Sequence, residues 1–394
     1  MICKFRLAVC LSAALVALPG LAQEPIASNE SAGTVAYIYV TSLPANASTT
    51  EIDAYSAAPD GQLTPLTNSP FEYDEGALAA DGRHLFAINR SDTDIDTLSI
   101  GRGGAIDYVT STDWAQFTNN CGSPAWLFTD RTGRDLYDMI FDGDCANNGF
   151  QAFGVEGGSG ALGYVGYANG GAGSFGGANL PLTITGNNRF AFEATNNSCM
   201  YYELLGYQRA ANGVLSELNS TWTPPAPPSG YRIYITEFLA ADPTNHLAAV
   251  FQPANPPGCS NVNAQVGSIT VDNKGNLSTT STSANMPATQ VTFPSDMKVS
   301  PSGRLVAIGG QGGLQVFHFN GGNPPTAYTP LLTTDTISQM FWDNDNHLYA
   351  ISQASGTLFV FTVTPERYAA APGSPYTVSA PQSIAIEPET PLLP

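Results

Sequence analysis

The sequence predicts an all-β fold, a seven-bladed β-propeller built from four-stranded antiparallel blades. Three observations support this fold. Two hairpin phrases alternate along the chain, helical periodicity is nearly absent beyond its first residues, and the two ends supply complementary strands. Apolar residues alternate or form short runs, as in strands packed between neighbouring sheets. Regular repetition in an all-β chain indicates sheets arranged around an axis.

The first phrase is an apolar strand, a tight polar turn ending in Gly or Asn, and a second apolar strand. It recurs about every 50 residues, and a basic residue or His lies in or just after each turn. Gly and Asn accept the positive φ angles that short hairpin turns require. The six copies begin at Leu78, Phe128, Ile184, Leu239, Val299 and Phe341.

The second phrase is also a hairpin, usually with Gly near its turn. Its seven copies begin at Asp53, Thr97, Ala152, Tyr207, Ile269, Phe317 and Phe361. Each unit therefore holds two hairpins, whose strands we name A to D. The seventh A–B pair combines a strand A near Ser383 with a strand B near Ala36. We expect these terminal strands to pair and close the ring, which removes exposed sheet edges.

The predicted domain organisation has three parts. Residues 1–22 resemble a secretory signal peptide, with Lys4 and Arg6 before an apolar stretch and small residues up to Ala22. Residues 23–33 are predicted to be disordered, and residues 34–390 to form the propeller. An uncleaved membrane anchor is the alternative for the first part, but its apolar run is short for a span. The sequence thus predicts a periplasmic or secreted protein.

The charge balance restricts the partners. The chain has 33 acidic and 14 basic residues, a formal net charge of −19. Such a surface repels nucleic acid and anionic lipid, so we expect no nucleic-acid partner. No segment after the first 22 residues is apolar enough to cross a bilayer, so no membrane span is predicted, and we expect a monomer. The charge serves solubility, or alternatively provides a surface that attracts cations or faces a sugar. No sequence motif indicates a cofactor, and none is predicted.

Four cysteines remain after the predicted leader, an even number in an exported chain, which favours disulfides. Their positions in the loops of successive blades predict the pairs Cys121–Cys145 and Cys199–Cys259. Metal binding is the alternative, but no CxxC spacing or nearby His supports it.

The loops predict where a site would lie. In a propeller, the A–B and C–D turns form one face, here called the regular face, and the B–C loops and D–A connections form the other, the loop-rich face. The long segments and all four remaining cysteines fall on the loop-rich face, and function tends to reside in loops on a rigid scaffold. We therefore expect a site at that mouth of the central channel. The long segments are Ser42–Thr50, Thr110–Pro124, Val165–Asn179, Ser220–Arg232 and Gln252–Gln265.

The candidate ligand-binding residues stand just before or at the start of each inner strand A. Carboxylates beside aromatic rings suit a sugar or a hydrated cation, although they also accept hydrogen bonds from loop backbone. Asp74 and Glu75 are adjacent on an extended segment, so they should point to opposite sides. The polar candidates are Asp74, Glu75, Asp113, Trp114, Asn179, Glu237, Asp296 and Gln339. The nearby aromatic candidates are Phe71, Tyr73, Phe117, Trp222 and Tyr231.

Histidine positions argue against a catalyst. His84, His246 and His347 share one slot at the start of strand B on the regular face, and His318 ends a strand C. The loop-rich face therefore lacks a general base of suitable pKa. The Asp- and Asn-rich turns at Asp343 and Asp272 lack the full pattern of a calcium loop, so no metal site is predicted.

The first repeat resembles a known group. Tyr37-IYVTS and Ile52-DAYSAAPDGQLTPLTNSPF are similar to the opening blade of lactonase-like seven-bladed propellers, and Gly373-SPYTVSAPQSIAIEP echoes it at the far end. That group includes 6-phosphogluconolactonase-like, cyclase-like and YVTN-type surface proteins. The resemblance implies His and Arg on the channel face of the enzymes. The matching stretches here begin at Phe71, Asn120 and Phe293, and they contain neither residue.

The sequence leaves three functional hypotheses. The first is an exported, non-catalytic propeller that binds a small molecule or protein through its loop-rich face. The second is a lactonase-like hydrolase acting at the channel mouth with carboxylates and a divalent cation. The third is a cell-surface or envelope module. Fold analogy alone does not decide between them.

Overall fold

The computed structural model describes residues 33–388 except 91–93, 115–122, 142–148, 171–181, 198–200, 220–221, 257 and 260–261. The predicted leader lies outside the described residues, as does all of the predicted disordered segment except Gly33. The described chain forms seven antiparallel sheets, which confirms the predicted seven-bladed propeller.

The strands are short, and most inner positions are buried. In the first half of the chain they are β1 (Ala36–Ser42), β2 (Glu51–Ala57), β3 (Leu63–Pro65), β4 (Glu75–Ala80), β5 (His84–Asn89), β6 (Asp94–Ile100), β7 (Ile106–Asp113), β8 (Ser123–Thr129), β9 (Asp135–Phe141), β10 (Gly149–Val155), β11 (Leu162–Asn169), β12 (Thr183–Ile184), β13 (Phe190–Asn197), β14 (Tyr201–Arg209) and β15 (Leu215–Glu217). A single 3-10 turn, Arg102–Gly104, precedes β7. In the second half they are β16 (Ile233–Ala241), β17 (His246–Asn255), β18 (Gly258–Cys259), β19 (Gln265–Val271), β20 (Leu277–Ser278), β21 (Thr292–Val299), β22 (Leu305–Gln311), β23 (Gly313–Asn320), β24 (Asn323–Ala327), β25 (Gln339–Trp342), β26 (His347–Ser352), β27 (Thr357–Val363), β28 (Tyr368–Ala370), β29 (Tyr376–Thr377) and β30 (Pro381–Glu387).

Blade 1 joins the two ends of the described chain, as predicted. Its strand order is β30-β1-β2-β3, with β30 innermost. Ile38 pairs with Ile386, and Val40 pairs with Ile384, in antiparallel register. The remaining blades follow in sequence, from β4–β7 as blade 2 to β25–β28 as blade 7. Two short strands were not predicted: β18 extends the B–C loop of blade 5, and β29 pairs with β27 in blade 7.

The hydrophobic core lies between neighbouring blades. Alternate side chains of each strand face opposite neighbours, so Ile38 and Val40 of blade 1 pack against Tyr349 and Ile351 of blade 7. Similar layers separate the other pairs, for example Phe238 of blade 5 with Ile308 of blade 6. Because the inner strands of each blade are covered on both faces, they need nearly continuous apolar character, as the sequence shows.

Two contacts on the regular face join neighbouring blades. His84 and His347 are each the first residue of a strand B. A glycine in the C–D turn of the next blade packs against each imidazole ring. A Cβ on Gly160 would lie 2.6 Å from His84, and one on Gly61 would lie 2.9 Å from His347. Both glycines also have positive φ. The histidines therefore belong to the packing between blades.

Polar side chains join four neighbouring inner strands around the channel. Asp296 Oδ2 accepts the backbone N–H of Met340 at 2.8 Å, joining β21 to β25. Gln339 Oε1 accepts the N–H of Ile384 at 2.9 Å, joining β25 to β30. Ser383 Oγ accepts the N–H of Leu78 at 3.1 Å, joining β30 to β4. Each of these three backbone N–H groups lies on the channel side of an innermost strand, where no further strand can accept it. The side-chain oxygens supply the missing acceptors.

Candidate functional site

A cavity of about 400 Å³ lies on the propeller axis. Its walls are the carboxyl-terminal halves of the inner strands, and its rim carries the A–B turn residues Asp81, Asp130, Arg131 and Asn344. The cavity therefore occupies the half of the channel nearer to the regular face. The sequence placed a site at the loop-rich mouth. That expectation missed this cavity because it considered the loops and left out the inner-strand side chains.

The chemistry of the cavity wall comes from a ring of side chains two places before each A–B turn. In six blades these residues are Ala79, Phe128, Thr183, Ala240, Lys298 and Phe341, all of which line the cavity. Lys298 is the one charged member of this set. The ring is thus mostly small or aromatic, with a single ammonium group.

Lys298 is held in place by two neighbours. Its Nζ donates to Asp296 Oδ1 at 3.0 Å and lies 4.8 Å from the centre of the Phe341 ring, within cation–π range. The Lys298 side chain is 28% exposed, whereas that of Asp296 is 3% exposed. Asp296 also accepts the backbone N–H groups of Met297 and Met340. Its carboxylate therefore accepts three hydrogen bonds, one of which holds the Lys298 ammonium beside the cavity wall.

The rim on the regular face is a network of ion pairs and hydrogen bonds. Arg131 Nη2 donates to the carbonyl of Ala241 at 3.1 Å, which joins blade 3 to blade 5 across the channel. Asp130 pairs with Arg209 of blade 4 at 2.7 Å, and Arg209 also pairs with Asp135. All three of these side chains are buried. This network holds the rim of the cavity in place. Because Arg209 is paired with both carboxylates, its charge is not free to bind a ligand.

The predicted candidates Asp74 and Glu75 differ in exposure and in partners. Asp74 is partly exposed and accepts the N–H of Thr50 at 2.8 Å, with Arg90 at 3.7 Å. Glu75 is only 1% exposed. Burial, and next the charge of Asp96, raise the pKa of Glu75 to about 8. Both side chains belong to blade 2 and its connection to blade 1, away from the cavity lining.

The predicted position of Asp113 and Trp114 was wrong. Both were expected at the entry to an inner strand, but Asp113 is the last residue of β7, the outermost strand of blade 2, and pairs with Asp94. The alternating, β-branched sequence after Tyr108 extends that strand through a segment interpreted as loop. Trp114 is 2% exposed and packs in the layer between blades 2 and 3. It therefore presents no surface to a ligand.

Of the remaining candidates, Asp296 and Gln339 line the cavity, and both also join inner strands. Glu237 lies on the inner strand β16, one residue before the cavity residue Phe238. Burial raises the pKa of Glu237 to about 7. Trp222 is partly buried against the core between blades 4 and 5. Asn179 and Phe117 lie outside the described residues.

The predicted disulfides are not described. Cys121, Cys145 and Cys199 lie outside the described residues, and the side chain of Cys259 does too. Both pairs stay predictions. Within the part of the chain that is described, no group of three or more His, Cys, Asp or Glu side chains could hold a metal ion. That part also contains no helix long and apolar enough to span a bilayer.

Sequence reasoning missed Lys298, Phe128 and Phe341. Lys298 is one of only three lysines in the chain, and its rarity was the one available signal.

The histidines occupy the predicted slot: Nδ1 of His84, His246 and His347 contacts an A–B turn aspartate at 2.9, 3.1 and 2.6 Å. None of the four histidines of the chain, all of them described, lines the cavity.

Comparison with known proteins identifies the fold. No family model matches the chain, and no curated protein sequence matches it. A "putative 6-phosphogluconolactonase" from Bacteroides fragilis has a TM-score of 0.64 at 13% identity, covering 90% of this chain and 99% of that one. A second from Bacteroides uniformis has a TM-score of 0.63 at 14% identity, with 90% and 99% coverage.

A periplasmic gluconolactonase from Pseudomonas aeruginosa has a TM-score of 0.62 at 14% identity, covering 89% of this chain and 99% of that one. The structural neighbours are thus lactonase-like seven-bladed propellers, which confirms the resemblance drawn from the repeat at the level of the fold. Identities this low carry no activity to the present chain.

Proposed function

We propose that the protein is a binding propeller that takes one small sugar acid in its central cavity. The observation that supports this proposal is the Lys298 ammonium, held by Asp296 over Phe341 in the cavity wall. An ammonium has three donor hydrogens, and Asp296 uses one. The others are available to carboxylate or hydroxyl oxygens of a ligand.

The size and the rest of the lining agree with such a ligand. Ligand cavities typically measure about 300–1,000 Å³, and this one measures about 400 Å³. Phe128 and Phe341 are partly exposed on the wall. Their ring faces suit the C–H groups of a sugar, whereas Thr183 and Gln339 add polar groups near them. A single oxygen-rich molecule of hexose size satisfies both kinds of surface.

Calorimetric titration with D-gluconate tests this function. Lys298→Ala should weaken binding by about 10-fold or more, because a charge-assisted hydrogen bond contributes about 1.5–3 kcal/mol. Lys274→Ala is the matched control, since it removes the same charge from the exposed turn between β19 and β20. Wild-type protein that binds no gluconate, or equal affinities in the two variants, would refute the proposal.

A lactone hydrolase is the second candidate, favoured by the names of the structural neighbours. It requires that the cavity open a sugar lactone to the corresponding acid. Base uptake during opening of D-glucono-1,5-lactone, measured against buffer alone, tests it. A protein-dependent rate that Lys298→Ala removes and Lys274→Ala keeps would replace the binding function with catalysis.

We further propose that the protein is exported, monomeric and braced by Cys121–Cys145 and Cys199–Cys259. The amino-terminal composition and the even number of later cysteines support export. Peptide mapping of the protein from periplasm and culture medium, without reduction, tests export and the two disulfides. Free thiols at these four positions would contradict the disulfides, and protein found only in the cytoplasm would contradict export.

A further inference from the structure

Several inner strands carry a β-bulge in their first half, towards the loop-rich face. In β16, Thr236 pairs with Phe251 and Phe238 pairs with Val250, so Glu237 is an extra residue with no counterpart on β17. The register of β8 is interrupted in the same way at Ala125, and that of β21 at Ser295. Bulges commonly re-aim a side chain next to a functional site.

Glu237 differs in chemistry from the other bulge residues. Ala125 is apolar, and the Ser295 hydroxyl bonds to the carbonyls of Gly309 and Ile337 within the sheets. Glu237 carries a carboxyl at the bulge of its strand, one residue before the cavity residue Phe238. Its carboxyl makes no hydrogen bond or ion pair with any residue of the described ranges, although Glu237 is only partly exposed and desolvation raises its pKa.

A partly buried carboxyl with no cation beside it in the described ranges is disfavoured in its charged form, in agreement with the raised pKa of Glu237. Such a group is expected where a ligand supplies the missing donors. Glu237 directly precedes Phe238, and Lys298 lies on the neighbouring inner strand β21. The two residues therefore lie on neighbouring inner strands, with Glu237 nearer to the loop-rich face.

We propose that Glu237 is a specificity-determining residue that binds hydroxyl groups at the end of the ligand away from Lys298 and excludes a second acidic group there. This inference rests on the proposed function. An ionised carboxylate only accepts hydrogen bonds, so it binds sugar hydroxyls and repels carboxylate or phosphate. The ligand class narrows to sugar acids with one acidic end and one polyhydroxyl end.

The closing experiment compares D-gluconate with D-glucarate, which carries a carboxylate at both ends. Wild-type protein at pH 8 should bind gluconate at least about 10-fold more tightly than glucarate, because unfavourable placement of like charges costs more than 1.4 kcal/mol. Lowering the pH to 6 protonates Glu237 and should reduce this ratio. Glu237→Gln should bring the ratio near one and make it independent of pH, whereas the exposed control Glu217→Gln should not.

The outcomes separate the two proposals. If gluconate binds and Lys298→Ala weakens it, but Glu237→Gln leaves the ratio and its pH dependence unchanged, the role of Glu237 is refuted and the binding function stands. If wild-type protein binds neither acid, both proposals are refuted. Unchanged melting temperature and circular dichroism of the Gln variant would show that any change in the ratio arises in the channel.

Discussion

Replacing Glu75 by Gln tests the link between a buried carboxyl and the pH dependence of stability. Glu75 is 1% exposed, and its pKa rises from the ordinary 4.5 to about 8 on folding. The unfolded chain therefore releases this proton at a lower pH than the native protein. Stability from this group is complete below about pH 4.5 and is lost progressively up to about pH 8.

The size of the effect follows from that pKa difference. It corresponds to about 5 kcal/mol of unfolding free energy lost across the interval. For the described propeller, this amounts to a change in Tm of about 5–7 °C. The Gln variant cannot ionise, and its amide can donate to Asp96. Between pH 5 and pH 9 the Tm of wild type should therefore fall by about 5 °C more than that of Glu75→Gln.

Thermal unfolding followed by circular dichroism at both pH values measures this difference. Other groups titrate in the same range, but they cancel in the comparison between wild type and variant. Asp96→Asn gives a second check, because loss of the Asp96 charge should lower the pKa of Glu75 and reduce the pH dependence. A wild-type-minus-variant Tm difference that is the same at pH 5 and pH 9 would refute the reasoning.

Two further substitutions test buried charges elsewhere in the propeller. Arg209→Met leaves Asp130 and Asp135 buried without their cation and should destabilise the fold by about 3–5 kcal/mol. Its control Arg304→Met removes an exposed pair with Glu366 and should shift Tm by less than about 1 °C. Equal shifts in these two variants would contradict the network. Asp138 is fully buried, and neither carboxyl oxygen has a partner in the described ranges. Because burial raises its pKa, Asp138→Asn should gain stability over wild type as pH rises from 4 to 8. A Tm difference constant with pH would contradict this prediction.

The blades were predictable because the signals that define them are local. Hairpin turns require Gly or Asn at positions such as Gly82 and Asn346, both of which have positive φ. Ring closure followed from matching one unpaired strand near Ala36 to another near Ser383. Each of these inferences depends on a few neighbouring residues and on the rule that sheet edges must be paired.

The site was less predictable because it is assembled across blades. Lys298 acquires its role from Phe341, a residue of the next blade, and from an aspartate two residues before it. Nothing local distinguishes this lysine from the solvated Lys274. Trp114 shows the opposite error, since an aromatic side chain after a long polar segment resembled a ligand platform but lies in the core.

Two positions of the inner strand differ in how freely they can change. Asp296, Gln339 and Ser383 each accept a backbone N–H of the next inner strand, so this position must keep a hydrogen-bond acceptor where it closes the ring. Two residues after Asp296 and Gln339, the side chains of Lys298 and Phe341 line the cavity, and the matching cavity positions of other blades carry Ala, Phe or Thr. Within the described residues, neither Lys298 nor Phe341 makes a side-chain hydrogen bond to another inner strand, whereas Thr183 Oγ1 donates to the carbonyl of Leu239 at 3.0 Å. Substitution at Lys298 or Phe341 should therefore cost the ring little. The propeller can therefore change its ligand at Lys298 or Phe341 while Asp296 and Gln339 keep the blades joined.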